Sequence, residues 1–164
     1  MSSPQPQKRD ISFKEMRDDD ILECASLYAD VYAQMDVHEN WSIKSSEQLI
    51  TFFYKTQPDM CFVAKDGDTI VALFISQIKP WWDGNHLVDG EICVNPKYQK
   101  EGIATRLSLK VYKAAIERYN IVQIDLVTFN REFPLSWYKK QGFEIEKNTV
   151  RIFADSKVVL KNLK

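Results

Sequence analysis

What the 164-residue chain lacks narrows its class first. Its longest uninterrupted apolar run, Ile70-Val71-Ala72-Leu73-Phe74-Ile75, is far shorter than the roughly 18 residues of a membrane span, so no membrane partner is expected. Residues 1–10 are polar, hold two prolines and contain no hydrophobic region. They read as a flexible leader with no secretory signal. No charge of one sign prevails: 22 Lys and Arg oppose 23 Asp and Glu, a net of −1. A protein that coats nucleic acid carries a basic footprint, so nucleic acid is not an expected partner. The three cysteines, Cys24, Cys61 and Cys93, stand more than thirty residues apart. That set fits buried thiols in a reducing, cytoplasmic setting and excludes a CxxC-type zinc site or a disulfide framework. His38 and His86, 48 residues apart, have no metal-ligand spacing, so no metal is expected.

What is present fits one folded domain. Hydrophobic residues make up 45% of the chain and aromatic ones 12%, too rich for a disordered segment. A domain of about 150 residues buries roughly 68–70% of the surface its unfolded chain exposes. One core over residues 11–164 is therefore expected behind the leader, with no repeat or low-complexity segment inside it.

Hydrophobic spacing predicts the order β-α-α-β-β-β-α-β-α-β-β. Residues 11–16 alternate as a first strand. Asp18, Asp19 and Asp20 complement the positive end of a helix, whose stripe of Ile21, Ala25, Tyr28 and Tyr32 runs to about residue 34. Ser45 and Gln48 have capping-box spacing for a second helix, with Leu49, Ile50, Phe52 and Phe53 inward. Residues 60–65 and 69–79 read as strands joined at Asp66-Gly67-Asp68. Residues 86–95 form a third strand after the turn Trp81-Trp82-Asp83-Gly84-Asn85. Residues 102–119 carry Ile103, Leu107, Val111, Ala114 and Ala115 at helical spacing. A strand over 121–127 follows, then a short helix with Pro134 in its first turn and Gly142 at its end. Residues 143–153 and 157–163 read as two final strands.

The stretch Val94-Asn95-Pro96-Lys97-Tyr98-Gln99-Lys100-Glu101-Gly102-Ile103-Ala104 passes from strand through a short loop into a helix. Such a loop aims successive backbone N–H groups into one concavity, and the helix dipole adds to their pull on anions. Gly102 lets a ligand approach the backbone closely, and small Ala104 leaves room beside it. An ordinary strand-to-helix turn has the same outline.

These residues resemble the GNAT superfamily of acyl-CoA N-acyltransferases. Its pyrophosphate loop, Gln/Arg-x-x-Gly-x-Gly/Ala, is matched by Gln99-Lys100-Glu101-Gly102-Ile103-Ala104. Val94-Asn95-Pro96 is similar to the family's Val-x-Pro at the end of its fourth strand. Trp137-Tyr138-Lys139-Lys140-Gln141-Gly142-Phe143 is similar to its Leu-Tyr-x-Lys-x-Gly-Phe. The likeness covers about residues 11–163. Lys100 stands where many members have glycine, and Glu101 sets a carboxylate in the phosphate loop, with Lys97, Lys100 and Arg106 available to offset it.

The resemblance implies an α/β (α+β) fold: a mixed, mostly antiparallel sheet of about seven strands and about four helices, with strands four and five splayed. It implies acetyl-CoA as the acyl donor and no metal. Main-chain groups of Ile92, Cys93 and Val94 would hold the pantetheine arm and polarise the thioester. Amides from Gln99, Lys100, Glu101, Gly102, Ile103, Ala104 and Thr105 would hold the pyrophosphate, and Asn130 would contact the CoA arm. Tyr138 would protonate the leaving thiolate, and Glu91 would take the proton of the attacking amine. Asp89, two residues away on the same strand face, Asp125 on the fifth strand, or a water stand as alternatives to Glu91. Each of these residues also has a plainer reading, Tyr138 as a packing phenol and the acids as solvated strand carboxylates. The implied activity is transfer of acetyl to a primary amine of a small molecule, with a protein amine or a non-catalytic acyl-CoA-binding module as alternatives. The family's frequent dimers make a homodimer one expected assembly.

Cys93, mid-strand and without a neighbouring histidine motif, reads as a small buried residue rather than a nucleophile. His38 and His86 read as surface or capping residues, His38 bordering the acceptor region. Trp81 and Trp82 read as a sheet cover, an acceptor wall or a dimer contact. Charge is divided along the chain: residues 18–39 hold seven acids and no Lys or Arg, whereas 97–118 hold six bases against Glu101 and Glu117. A basic phosphate end and an acidic amine end suit a polyanionic donor and a cationic acceptor.

Overall fold

The structure, a computed structural model, describes residues 9–162. Most of the expected leader, residues 1–8, lies outside the described residues. Two compact units divide at Leu126 and Val127.

The first unit holds a five-stranded sheet in the order β1 (Ile11–Glu15), β2 (Cys61–Asp66), β3 (Thr69–Trp81), β4 (Gly84–Val94) and β5 (Ile121–Ile124). The first three pairings are antiparallel, and β5 runs parallel to β4. Helices α1 (Ile21–Ala33) and α2 (Ile43–Thr56) come between β1 and β2, and α3 (Ile103–Tyr119) between β4 and β5. The long run Ile70–Ile75 lies in β3, the central strand, and is buried throughout because helices cover both faces. Ala72 and Phe74 face the core formed with Ile103, Leu107 and Val111 of α3. By strand alternation Leu73 and Ile75 turn to the opposite face. Each large side chain buried here contributes about 1.5–3 kcal/mol.

Two details of the pairing set up the site. First, β5 meets β4 only where Asn85, His86 and Leu87 face Ile121, Gln123 and Ile124. Beyond that contact β4 runs on to Val94 with no partner strand on that side among the described residues. Strands four and five therefore splay, as the family resemblance implies. Second, Ile75 faces Glu91 but Gln77 faces Val88. One more residue stands on β4 than on β3 between these pairs, which is a β-bulge.

The second unit contains α4 (Glu132–Lys139) and α5 (Ser156–Asn162). Here the expectations need correction. The sheet of about seven strands has five among the described residues, and the helices, expected as about four, are five among them. Residues 143–153 form no strand: Val150, Ile152 and Phe153 are 84%, 86% and 93% exposed, so alternation has no buried face to enforce it. Residues 157–163, expected as a strand, fall largely in α5. The start signal is Asp155, whose carboxylate accepts the N–H groups of Lys157 and Val158. The second helix also starts earlier than Ser45. Ser42 caps it, its Oγ accepting the Ser45 N–H while Ser45 Oγ accepts the Ser42 N–H. Serine can close a capping box as well as glutamine can, and the Ser45–Gln48 spacing is a decoy.

Candidate active site

Glu91 lies on the part of β4 that has parted from β5, across from Ile75. Tyr28 and Tyr32, one helical turn apart on α1, each donate a phenol hydrogen bond to Glu91 Oε2, at 3.1 and 3.2 Å. The two rings stack with centroids 4.5 Å apart. Trp41 sets its ring edgewise to both, at 5.2 Å from Tyr28 and 6.1 Å from Tyr32. Its indole N–H donates to Glu39 Oε2 at 2.9 Å. The result is a carboxylate at the edge of an aromatic wall with a second carboxylate nearby.

Burial is the main influence on Glu91 and pushes its pKa above the usual carboxylate range. The two phenol bonds pull it back, because they favour the charged form, and the charge of Glu39 pushes it up again. Such a group is a stronger base than an exposed glutamate. The phenols themselves are pushed well up, chiefly by burial and then by Glu91, so they stay protonated donors.

The other two acids differ. Asp125 does not stand free at the splay. Its Oδ2 lies 2.7 Å from His86 Nδ1, and its Oδ1 accepts from Gln123. His86 also meets Asp83 through Nε2 at 2.9 Å and is only 4% exposed. The expectation of a surface histidine is therefore corrected: two carboxylates make its burial tolerable. The side chain of Asp89 lies outside the described part of the structure. Cys93 is buried with its thiol pushed well up, mainly by burial, as expected of a packing residue.

Ile92, Cys93 and Val94 form the end of the unpaired β4 edge. The chain then turns through Pro96–Tyr98, fixed by Asn95 Oδ1 accepting the Lys97 N–H, and Gln99 Nε2 reaches back to Val94 O at 3.0 Å. Lys100 and Gly102 both adopt left-handed backbone, at φ +65° and +74°. Lys100 thus takes on the conformation that favours glycine, at the position where many family members have one. The first bond of α3 runs from the Arg106 N–H to Gly102 O. The amides of Ile103 and Ala104 lie in the first helical turn, ahead of any intrahelical acceptor, and Thr105 follows them in the same turn. Glu101 is offset by Arg9, not by Lys97, Lys100 or Arg106. The Arg9 guanidinium bonds Glu101 Oε1 at 2.9 Å and lies 4.1 Å from the Tyr98 ring centroid, whereas Arg106 sits over Phe13.

In the second unit Tyr138 lies on α4, its ring edgewise to Trp137 at 4.7 Å and to Phe143 at 5.4 Å. Its carbonyl accepts the N–H groups of Gln141 and Phe143, which closes the turn at Gly142, φ +94°. Asn130 is exposed just before α4.

Sequence reasoning missed Tyr28, Tyr32, Trp41 and Glu39 as a group, and Arg9 as the partner of Glu101. The i, i+4 tyrosine pair was visible in the helical stripe of the acidic segment, where it reads as plain core. Part of that acidic charge is structural: Asp20 pairs with Lys65 at 2.6 Å, and Glu23 accepts the Ile70 N–H at 2.7 Å.

Residues 21–143 match the acetyltransferase (GNAT) family, a span that runs through both compact units. No protein with a curated description matches the chain. Solved structures share the fold. A possible acetyltransferase from Clostridium difficile 630 is 16% identical, with a TM-score of 0.73 over 88% of this chain and 98% of that one. A predicted acetyltransferase from Clostridium acetobutylicum, solved with acetyl-CoA, is 20% identical, with a TM-score of 0.70 over 88% and 96%. An aminoglycoside N-acetyltransferase in complex with CoA is 15% identical, with a TM-score of 0.63 over 94% and 99%.

Proposed function

The chain belongs to the acetyltransferase (GNAT) family, and from that premise we propose that it transfers the acetyl group of acetyl-CoA to a primary amine of a small cationic molecule within one ternary complex. The observation that carries this reading is Glu91: a half-buried carboxylate of raised pKa, with no basic residue among the described groups that act on it, beside the edge of β4 that has no partner strand among the described residues.

In this reading the pantetheine arm lies along the edge formed by Ile92, Cys93 and Val94, where one main-chain N–H polarises the thioester carbonyl. The pyrophosphate lies on the amides of Gln99 through Thr105, and Asn130 contacts the CoA arm. Glu91 removes the proton from the acceptor ammonium. The amine nitrogen attacks the carbonyl carbon, the C–N bond forms and the C–S bond breaks. Tyr138 gives its proton to the thiolate and regains one from the second proton that the nitrogen sheds as the amide forms. The acidic α1 segment and the basic α3 segment support a cationic acceptor facing a polyanionic donor. Three free, buried cysteines suit a cytoplasmic setting. A homodimer is the assembly in which we expect the protein to work.

The test is release of free thiol from acetyl-CoA with a panel of amines and a lysine peptide. Release with cationic small amines is the expected result. Acetyl-CoA binding with no release over the whole panel would favour a non-catalytic acyl-CoA-binding module.

A further inference from the structure

Glu91 is held in an unusual way for an acid that must stay free to accept a proton. Both of its hydrogen bonds come to one oxygen, Oε2, and both come from neutral phenols. Oε1 makes no hydrogen bond among the described residues. A lysine or arginine partner would fix the side chain equally well, but its charge would pull the pKa down and make the carboxylate a poor base. Phenols fix it while leaving its negative charge uncompensated.

On the reading of Glu91 as base, we infer that Tyr28 and Tyr32 are positioning residues, which clamp Glu91 through Oε2 so that Oε1 faces the acceptor nitrogen as the proton-accepting atom. Three features of the surroundings suit this role. The two tyrosines sit four residues apart, so their side chains lie on one face and meet. Their stacked rings limit each other's rotation, and Trp41 closes the stack from the side. Both phenols are buried and remain protonated, so they donate at every pH at which Glu91 titrates.

Among the described residues the groups that face Glu91 are few. Tyr28 and Tyr32 act from α1, Glu39 from the segment after α1, and Cys93, which stays a neutral thiol, from the same strand. Across β3 its neighbour is Ile75, which is apolar. Among the described residues, the two phenols and Glu39 are the titratable groups that act on its ionisation. Removing one phenol hydroxyl takes a donor from the charged form. The Glu91 pKa then rises, and the deprotonated base is available only at higher pH.

The experiment uses Tyr28→Phe, Tyr32→Phe and the double variant, which keep the rings and their stacking. The Glu91 carboxyl carbon is followed by carbon-13 NMR titration, its signal assigned by loss in Glu91→Gln. In parallel, kcat/KM for thiol release is measured against pH. Each single variant should move the Glu91 titration upward by about one pH unit, and the double variant further. The acid limb of kcat/KM should move by the same amount. A Glu91 titration unmoved in all three variants overturns the inference, whether or not the protein turns over any amine. A titration that moves while the acid limb stays fixed overturns it as well, because the pair then tunes an acid that is not the base. Absence of thiol release in the wild-type protein bears instead on the acetyltransferase reading, and the NMR titration still decides the clamp.

Discussion

His86 Nδ1 lies 2.7 Å from Asp125 Oδ2 where β4 and β5 begin to part, and the bond occupies an acid that a sequence reading sets among the catalytic candidates. The histidine is buried between Asp125 and Asp83, and the bond to Asp125 is the first cause of its raised pKa.

A group whose pKa is raised on folding stabilises the protein below its unfolded pKa and loses that contribution as pH rises through the folded value. For His86 the contribution is complete below about 6.5 and fades above it. Asp125→Asn should lower the His86 imidazole titration toward 6.5, as read by proton NMR. It should also shrink the gain in urea midpoint between pH 8 and pH 6. Thiol release should change by no more than a few fold, because Asp125 acts on His86.

Arg9 pairs with Glu101 in the loop that we propose holds the pyrophosphate. Both side chains are partly exposed, and such pairs contribute about 0–1 kcal/mol. Arg9→Ala should therefore raise the KM for acetyl-CoA by a few fold with kcat unchanged. Glu101→Gln in the same chain should restore it. Steady-state kinetics at low and high salt check both, the effect shrinking as salt rises.

Ser42, and not Ser45, begins α2. Ser42→Ala should lower stability to denaturant by about 1 kcal/mol through loss of the cap. Gln48→Ala should leave stability within roughly 0.5 kcal/mol, the range of an uninvolved surface change.

Much of the first unit was legible because its signals are local. The β2–β3 hairpin at Asp66-Gly67-Asp68, the apolar face of α3 and the glycine at position 102 each carry their meaning within a few residues. The β-bulge before Glu91 was not legible, since it is a mismatch between two strands and neither sequence shows it alone. The tyrosine clamp escaped for a similar reason. Tyr28 and Tyr32 satisfy the helical pattern as core residues, and only the fold brings Glu91, 59 residues beyond Tyr32, to their hydroxyls. Arg9 with Glu101, 92 residues apart, is the same case. Beyond residue 142 the alternation of apolar residues misled, because alternation becomes a strand only when an edge and a buried face receive it.

The central claim is that Glu91 is the base for an amine acceptor. Its direct test is thiol release from acetyl-CoA by Glu91→Gln, measured at saturating amine beside the affinity for acetyl-CoA. Glutamine keeps an oxygen for the two phenols to reach and removes the proton-accepting charge. The account predicts acetyl-CoA affinity within a few fold of the wild type and a loss in kcat of roughly 100-fold to 10,000-fold. Wild-type turnover in Glu91→Gln, with the same pH profile, would contradict it.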